Sequence, residues 1–271
     1  MKLLSKEIQN QYDGFLQTAC LWNTTLFNGL KQFNIEQNYH LFNLEINPKI
    51  RLGKYIERFV SFQLQQISSI KILAENIQIQ KNKITLGEID CLLLNDLQPI
   101  HLEIIYKFYL YDNTVGNNEI EHFIGPNRKD SLIEKLIKLK EKQLPLLYSN
   151  ECKDYLHTLN LKVSDIKQRV YFKAQLFVPF SEQNIKLKEL NSNCIVGFYI
   201  NIKELQEFIN CKFYIPNKKD WLLNPKVNVN WIDFNVFLLK SNEYLERKFS
   251  PLCWIKKRNG EINKFFLVWW K

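Results

Sequence analysis

Four residues of this chain have types and spacings that could do chemistry: Glu57, Asp90, Glu103 and Lys107. Glu57 ends the segment Arg51-Leu52-Gly53-Lys54-Tyr55-Ile56-Glu57, one helical turn beyond a glycine that leaves space beside it. Asp90 closes Gly87-Glu88-Ile89-Asp90 at the start of an extended run. Glu103 and Lys107 lie in the next run, His101-Leu102-Glu103-Ile104-Ile105-Tyr106-Lys107. Strand side chains alternate, so His101, Glu103, Ile105 and Lys107 share one face. Phosphodiester hydrolysis uses this equipment. Carboxylates hold Mg²⁺ or Mn²⁺, the metal polarises a phosphate and acidifies an attacking water, and a lysine stabilises the developing charge. Asp90 and Glu103 can share one metal if the hairpin register sets them side by side.

Each residue also has a plainer reading. Glu57 can pair with Lys54 or Arg58 on the helix surface. Asp90 after Gly87 can be turn chemistry, His101 a satisfied core histidine, and Glu103 with Lys107 a same-face ion pair. Against the plainer readings taken together stands the run Ile100, Leu102, Ile104, Ile105, Tyr106 and Phe108, which reads as buried. Charges inside such a strand need partners or a metal.

The elements that must position these residues are legible from periodicity. Leu52, Ile56, Phe59, Val60 and Ile67 recur at helical spacing and predict an amphipathic helix over 51–66. Extended runs follow at Ile77–Gln80, Gly87–Leu94 and Ile100–Leu110, and Asn95-Asp96 predicts a hairpin turn between the last two. After Gly125-Pro126 the pattern predicts a helix from Arg128 to Gln143, with Asn127 as N-cap and Asp130 in a capping-box-like position. Leu132, Leu136 and Leu139 form its apolar face, and Lys135, Lys138 and Lys142 line the other side. Arg169–Phe180 returns to strand. The order helix, three strands, helix, strand predicts a mixed α/β core around a central mixed sheet.

On this reading residues 1–50 are an N-terminal helical extension and 51–180 the core. Residues 181–271 are a β-rich C-terminal layer packed on it, all in one compact unit. That layer holds a strand at Cys194–Ile200, a short helix at Lys203–Ile209, and a terminal hairpin whose turn is Asn259-Gly260. Trp254, Trp269 and Trp270 could stack on nucleic-acid bases, but their period suits packing of the hairpin, and packing is the reading adopted.

Composition sets the outer limits. With 46% hydrophobic and 14% aromatic residues the chain can bury a core, which excludes disorder for its bulk. No apolar stretch approaches the ~20 residues that cross a bilayer, and Ser5-Lys6-Glu7 interrupts any signal peptide. Six cysteines without a CxxC pair argue for a reduced, cytoplasmic protein that uses them as small core residues. The absence of a GxxxxGK[ST] segment excludes an ordinary P-loop NTPase. A net charge of +9 suits a polyanionic partner. The free N–H groups at the start of the second predicted helix, with Arg128 and Lys129, form a plausible phosphate contact that Lys135 would extend.

Arg51 to Glu57, Gly87-Glu88-Ile89-Asp90, His101-Leu102-Glu103, Lys107-Phe108-Tyr109 and Gly125-Pro126-Asn127 together resemble a bacterial family known as a domain of unknown function, DUF1853, across most of the chain. The order of helix Glu, Gly-Glu-x-Asp, and a strand bearing Glu and Lys also resembles the PD-(D/E)xK nuclease superfamily. That resemblance implies a restriction-endonuclease-like αβββαβ core. It further implies Asp90 and Glu103 as metal ligands, Glu57 as an accessory acid, Lys107 as catalytic lysine, Mg (or Mn) as cofactor and nucleic acid, DNA first, as substrate. One departure stands out: the superfamily's lysine position, two residues after the second acid, is Ile105. A catalytically inactive nucleic-acid-binding or adaptor protein on the same fold is the alternative, and a structural partner using the aromatic C-terminal layer a third.

Overall fold

The computed structural model describes residues 2–36 and 39–270. In chain order these form helix α1 (Lys2–Gln17), strands β1 (Leu26–Phe27) and β2 (Leu30–Lys31), and helix α2 (Leu52–Gln65). Strands β3 (Ile70–Lys81), β4 (Ile84–Asn95), β5 (Gln98–Tyr111) and β6 (Phe123–Ile124) come next, then helices α3 (Leu132–Lys138) and α4 (Asn150–Thr158). Strands β7 (Lys167–Pro179), β8 (Ile195–Asn201) and β9 (Lys212–Tyr214), helix α5 (Phe234–Glu246), and strands β10 (Leu252–Lys256) and β11 (Ile262–Val268) complete the order. Among the described residues the protein is mixed α/β, with a mixed sheet of nine strands, five helices and a separate β1–β2 ribbon. No described helix is long and apolar enough to cross a membrane. The chain forms two compact units, one of residues 20–106 and 134–173, the other of residues 1–19, 107–133 and 174–271.

The first unit is built on two successive hairpins. Asn82 and Lys83 both take positive φ, 48° and 69°, and join β3 to β4 in a tight turn whose twist matches the strands. Asp96, at φ 51°, turns β4 into β5 in the predicted hairpin, but the turn is Asp96-Leu97, one residue later than Asn95-Asp96, because Asn95 pairs with Gln98. Strand β3 is much longer than the predicted Ile77–Gln80. A register shift between Ile72 and Ala74, and Asn76 at φ 56°, break the two-residue alternation that would have revealed its first half. Helix α2 buries Ile56, Phe59 and Val60 of the predicted stripe together with Tyr55, and Leu52 and Ile67 are half-buried. Ile77, Ile79, Ile89 and Leu92 pack with Leu147, Cys152 and Leu156.

The predicted helix from Arg128 to Gln143 needs correction at both ends. It begins at Leu132, because Arg128 sits at φ 56° inside a turn that Gly125 N closes on the Asp130 carbonyl at 2.7 Å. Asn127 is not its N-cap, since its side-chain oxygen accepts from Ser250 N at 2.7 Å. Beyond Lys138 the coil widens to a π-helical turn, Leu139–Gln143, then tightens to a 3₁₀ turn, Leu144–Tyr148. Helix α4 then starts at a Ser149 cap, whose hydroxyl accepts from Cys152 N at 3.1 Å.

In the second unit β8 lies parallel to β11, and β11 pairs antiparallel with β10. Gly260, at φ 86°, turns this terminal hairpin. Phe213 stacks on Phe237 at 4.2 Å within a core that includes Phe198, Phe265 and Leu267. Trp254 and Trp270 are 1% and 6% exposed, so both indoles serve packing rather than a stacking platform. Four of the six cysteines (Cys91, Cys152, Cys194, Cys253) are buried and none forms a disulfide. Gly197 pairs with Lys264 so closely that a Cβ there would lie 2.3 Å from the Lys264 carbonyl oxygen. Backbone cannot give way as a side-chain end can. Gly197→Ala should therefore cost about 3 kcal/mol, the upper part of the usual overpacking range, as a lowered urea midpoint at unchanged slope.

Candidate functional site

The first unit collects carboxylates from three elements at one place. On α2, Lys54 and Glu57 stand three residues apart on one face. On β4, Glu88 and Asp90 stand two apart and share a face. The register Cys91↔Leu102 makes Asp90 the neighbour of Glu103 on β5, and Ile104 N donates to Asp90 Oδ2 at 2.9 Å. One carboxylate oxygen from each of Glu57, Glu88 and Asp90 lies within 4.8 Å of the others.

Like charges this close raise one another's pKa. Burial first, then the Glu103 charge and more weakly Glu57, push the Asp90 carboxyl up to about 8, against the pull of the Ile104 N–H. Burial also raises Glu57, although Lys54 pulls it back. Lys54 is the cation of the cluster. Its Nζ donates to Glu57 Oε2 at 2.9 Å, to Asn76 Oδ1 at 2.5 Å and to Glu88 Oε1. Burial works against that ammonium, yet the bonds to Glu88 and Glu57 outweigh it and hold its pKa above the ordinary value. Asn76 reaches Lys54 from a left-handed backbone inside β3, at the register position opposite Asp90. Asn is one of the few non-glycine types that tolerate this conformation, and such strain concentrates at functional sites.

Glu103 is fully buried and held by neutral donors. Gln143 Nε2 donates to its Oε2 at 2.6 Å, and His101 Nε2 lies 2.9 Å from its Oε1. The Gln168 amide nitrogen donates to the Leu144 carbonyl at 2.6 Å and to His101 Nδ1 at 3.0 Å. Nδ1 is thereby the acceptor of the ring, so the neutral Nε2–H tautomer faces Glu103, assigned from its partners. Gln143 in turn accepts from Lys135 Nζ at 2.6 Å.

Of the residues singled out in the sequence, the structure brings Glu57 and Asp90 together, with Glu103 adjoining. It adds Glu88 and Lys54. Lys135 stands behind Glu103 through Gln143 rather than on an open basic track. Lys107 belongs to the second unit, where its Nζ donates to Asp130 Oδ2 at 2.6 Å, in place of the same-face pair with Glu103. Arg128 donates to the buried Asp112 at 2.9 Å and lies 4.7 Å from the Trp270 ring centre, while Lys129 is exposed on the same turn. Glu88 and Lys54 were within reach of sequence reasoning, since each shares a face with a chosen acid by simple periodicity. Gln143 and Gln168 carry no such signal.

Fold and site together define the class: a mixed α/β protein with a half-buried, lysine-bridged carboxylate cluster on a hairpin sheet. The family described as Domain of unknown function (DUF1853) matches residues 3–267, and the chain belongs to that family. No curated protein and no solved structure matches it.

Proposed function

We propose that this chain is a Mg²⁺- or Mn²⁺-dependent phosphodiesterase on a restriction-endonuclease-like core of the PD-(D/E)xK type. It acts in the cytoplasm on nucleic acid, with DNA as the first candidate. The observation that carries this reading is the convergence of Glu57, Glu88 and Asp90 oxygens within 4.8 Å. The donor set is all hard oxygen, which suits Mg²⁺ or Mn²⁺ and suits Zn²⁺ or copper poorly. The element order α2, β3, β4, β5, α3, β7, with the short β6 and helix α4 inserted, supports the core assignment.

Asp90, Glu57 and Glu88 would hold the metal, with Glu103 adjoining Asp90. When bound, the metal supplies charge stabilisation at the phosphate and a more acidic attacking water. The protein's own residues do the rest. Ile104 N–H fixes the Asp90 carboxylate, and His101 with Gln143 fixes Glu103, so neither turns away when the substrate enters. Lys54 holds Glu57 and Glu88 in the absence of substrate and can transfer one N–H to a non-bridging phosphate oxygen. Asn76 retains the ammonium during that exchange.

The competing reading, a silent binder or adaptor on the same fold, draws on the buried Ile105 at the usual lysine position and on Lys107 being paired with Asp130. One experiment separates the two. The purified chain is incubated with Mn²⁺ or Mg²⁺ and single- and double-stranded DNA and RNA, beside Glu57→Gln and Asp90→Asn. Metal-dependent cleavage lost in both variants is the expected result. Salt-sensitive binding without cleavage of any substrate would establish the silent binder instead.

A further inference from the structure

A second feature of the first unit lies behind the acidic centre and shares Gln168 and Leu144 with the hydrogen bonds that hold Glu103. A cavity of about 420 Å³ opens where β2 meets β7, within the ~300–1,000 Å³ typical of small-molecule sites. The parallel bridge Gln32↔Val170 lays β2 beside β7 and brings Lys31 alongside Arg169. Lys167, two residues before Arg169, projects from the same face of the strand. Three cations thus surround one opening, and no carboxylate lines it. Lys31 and Lys167 are exposed, and Arg169 spends one N–H on the Gln168 carbonyl at 2.8 Å, leaving most of its fork for another acceptor. Like charges gathered without a counter-charge repel, and an anion in their midst relieves that repulsion.

The remainder of the lining narrows the anion. Leu30 and Val170 make a buried apolar floor, and the Tyr148 ring stands at the wall, 51% exposed. An inorganic anion would use the cations and leave the ring and the floor idle. A nucleotide uses all three: phosphate oxygens on Lys31, Lys167 and the Arg169 fork, sugar over the floor, base against Tyr148. The geometry points to a binding site for a phosphorylated nucleotide at Lys31, Lys167, Arg169 and Tyr148. The same chemistry is presented by a free mononucleotide and by the phosphorylated end of a strand. The inference stands on the cavity alone and does not require the acidic centre to be catalytic.

The test is calorimetric titration of the full chain, without divalent metal, with AMP, adenosine, sulfate and a 5′-phosphorylated tetranucleotide. AMP is expected to bind at least tenfold more tightly than adenosine or sulfate. Lys167→Met with Arg169→Met should weaken AMP at least 30-fold, and Lys31→Met alone several-fold, with the protein still folded, since Lys31 and Lys167 are exposed and the half-buried Arg169 gives up only one bond, to a backbone carbonyl. Tyr148→Ala should weaken AMP about tenfold, one stacking contact's worth, while leaving sulfate unchanged. A tetranucleotide bound at least tenfold more tightly than AMP identifies a strand end as the ligand, and equal affinity identifies the free nucleotide. No AMP binding at millimolar concentration by folded protein, affinity equal for AMP and sulfate, or affinity indifferent to the double substitution would overturn the assignment. Glu57→Gln, which should abolish cleavage, should leave AMP binding as it is, so this result and that of the cleavage assay fail or succeed separately.

Discussion

Asp90→Asn should abolish Mn²⁺ binding and any metal-dependent cleavage, yet make the metal-free protein more stable. The two effects share one cause. Asp90 is pressed by burial and by the Glu103 and Glu57 charges until its carboxyl titrates near 8, far above the ordinary value of about 4. Between about pH 4 and 8 the metal-free folded chain therefore keeps a proton that the unfolded chain releases. Asp90's contribution to stability then falls as pH rises through that window, and it is least favourable above pH 8. Asparagine keeps the shape, can still accept from Ile104 N–H, and never carries the charge. Its advantage in melting temperature over the native chain should be small at pH 5 and largest at pH 8.5. Metal must displace the Asp90 proton, so Mn²⁺ affinity of the native chain should rise by up to ~tenfold per pH unit from pH 6 toward 8 and then level off. Calorimetry with Mn²⁺ on both proteins decides the matter. An Asn variant that binds like the native chain removes Asp90 from the site, and a flat stability difference across pH removes the charge argument.

Lys54→Met is expected to lower turnover by at least ~10²-fold, the scale on which removal of a transition-state charge stabiliser is felt. Lys107→Met should change it by less than about threefold. The sequence resemblance implies the reverse assignment, so the pair is a direct comparison. Lys54 already touches Glu57 and Glu88, whereas the Lys107 ammonium is held by Asp130 at 2.6 Å. Lys54→Met also leaves Glu57 and Glu88 facing each other without a cation. Metal affinity of this variant should accordingly hold or improve while single-turnover rates with metal saturating fall. A loss confined to Lys107→Met would return the catalytic role to that residue. Loss of metal binding together with turnover in Lys54→Met would show that the lysine maintains the cluster and does not act on phosphate.

Periodicity and turn chemistry act over a few residues, and what depends on them could be read directly. The stripe of α2, the β4–β5 hairpin to within one residue of its turn, the terminal hairpin at Asn259-Gly260 and the shared parity of Asp90 and Glu103 with their strand neighbours are all of this kind. So is the burial of Trp254, a large apolar surface on a strand of the hairpin, and of Trp270 just beyond its end. The start of α3 could not be read, because a turn closed by Gly125 and Asp130 outweighs the helical pattern at Arg128. The partner of each charge could not be read either. Lys107 finds Asp130 23 residues away, and Glu103 finds Gln143 40 residues away. Sequence alone determined which residue types could form a carboxylate centre and on which face of each element they stand. Which carboxylates converge, and which lysine stands among them, only the tertiary structure decided, because strand register and helix packing set distances between residues that no local propensity connects.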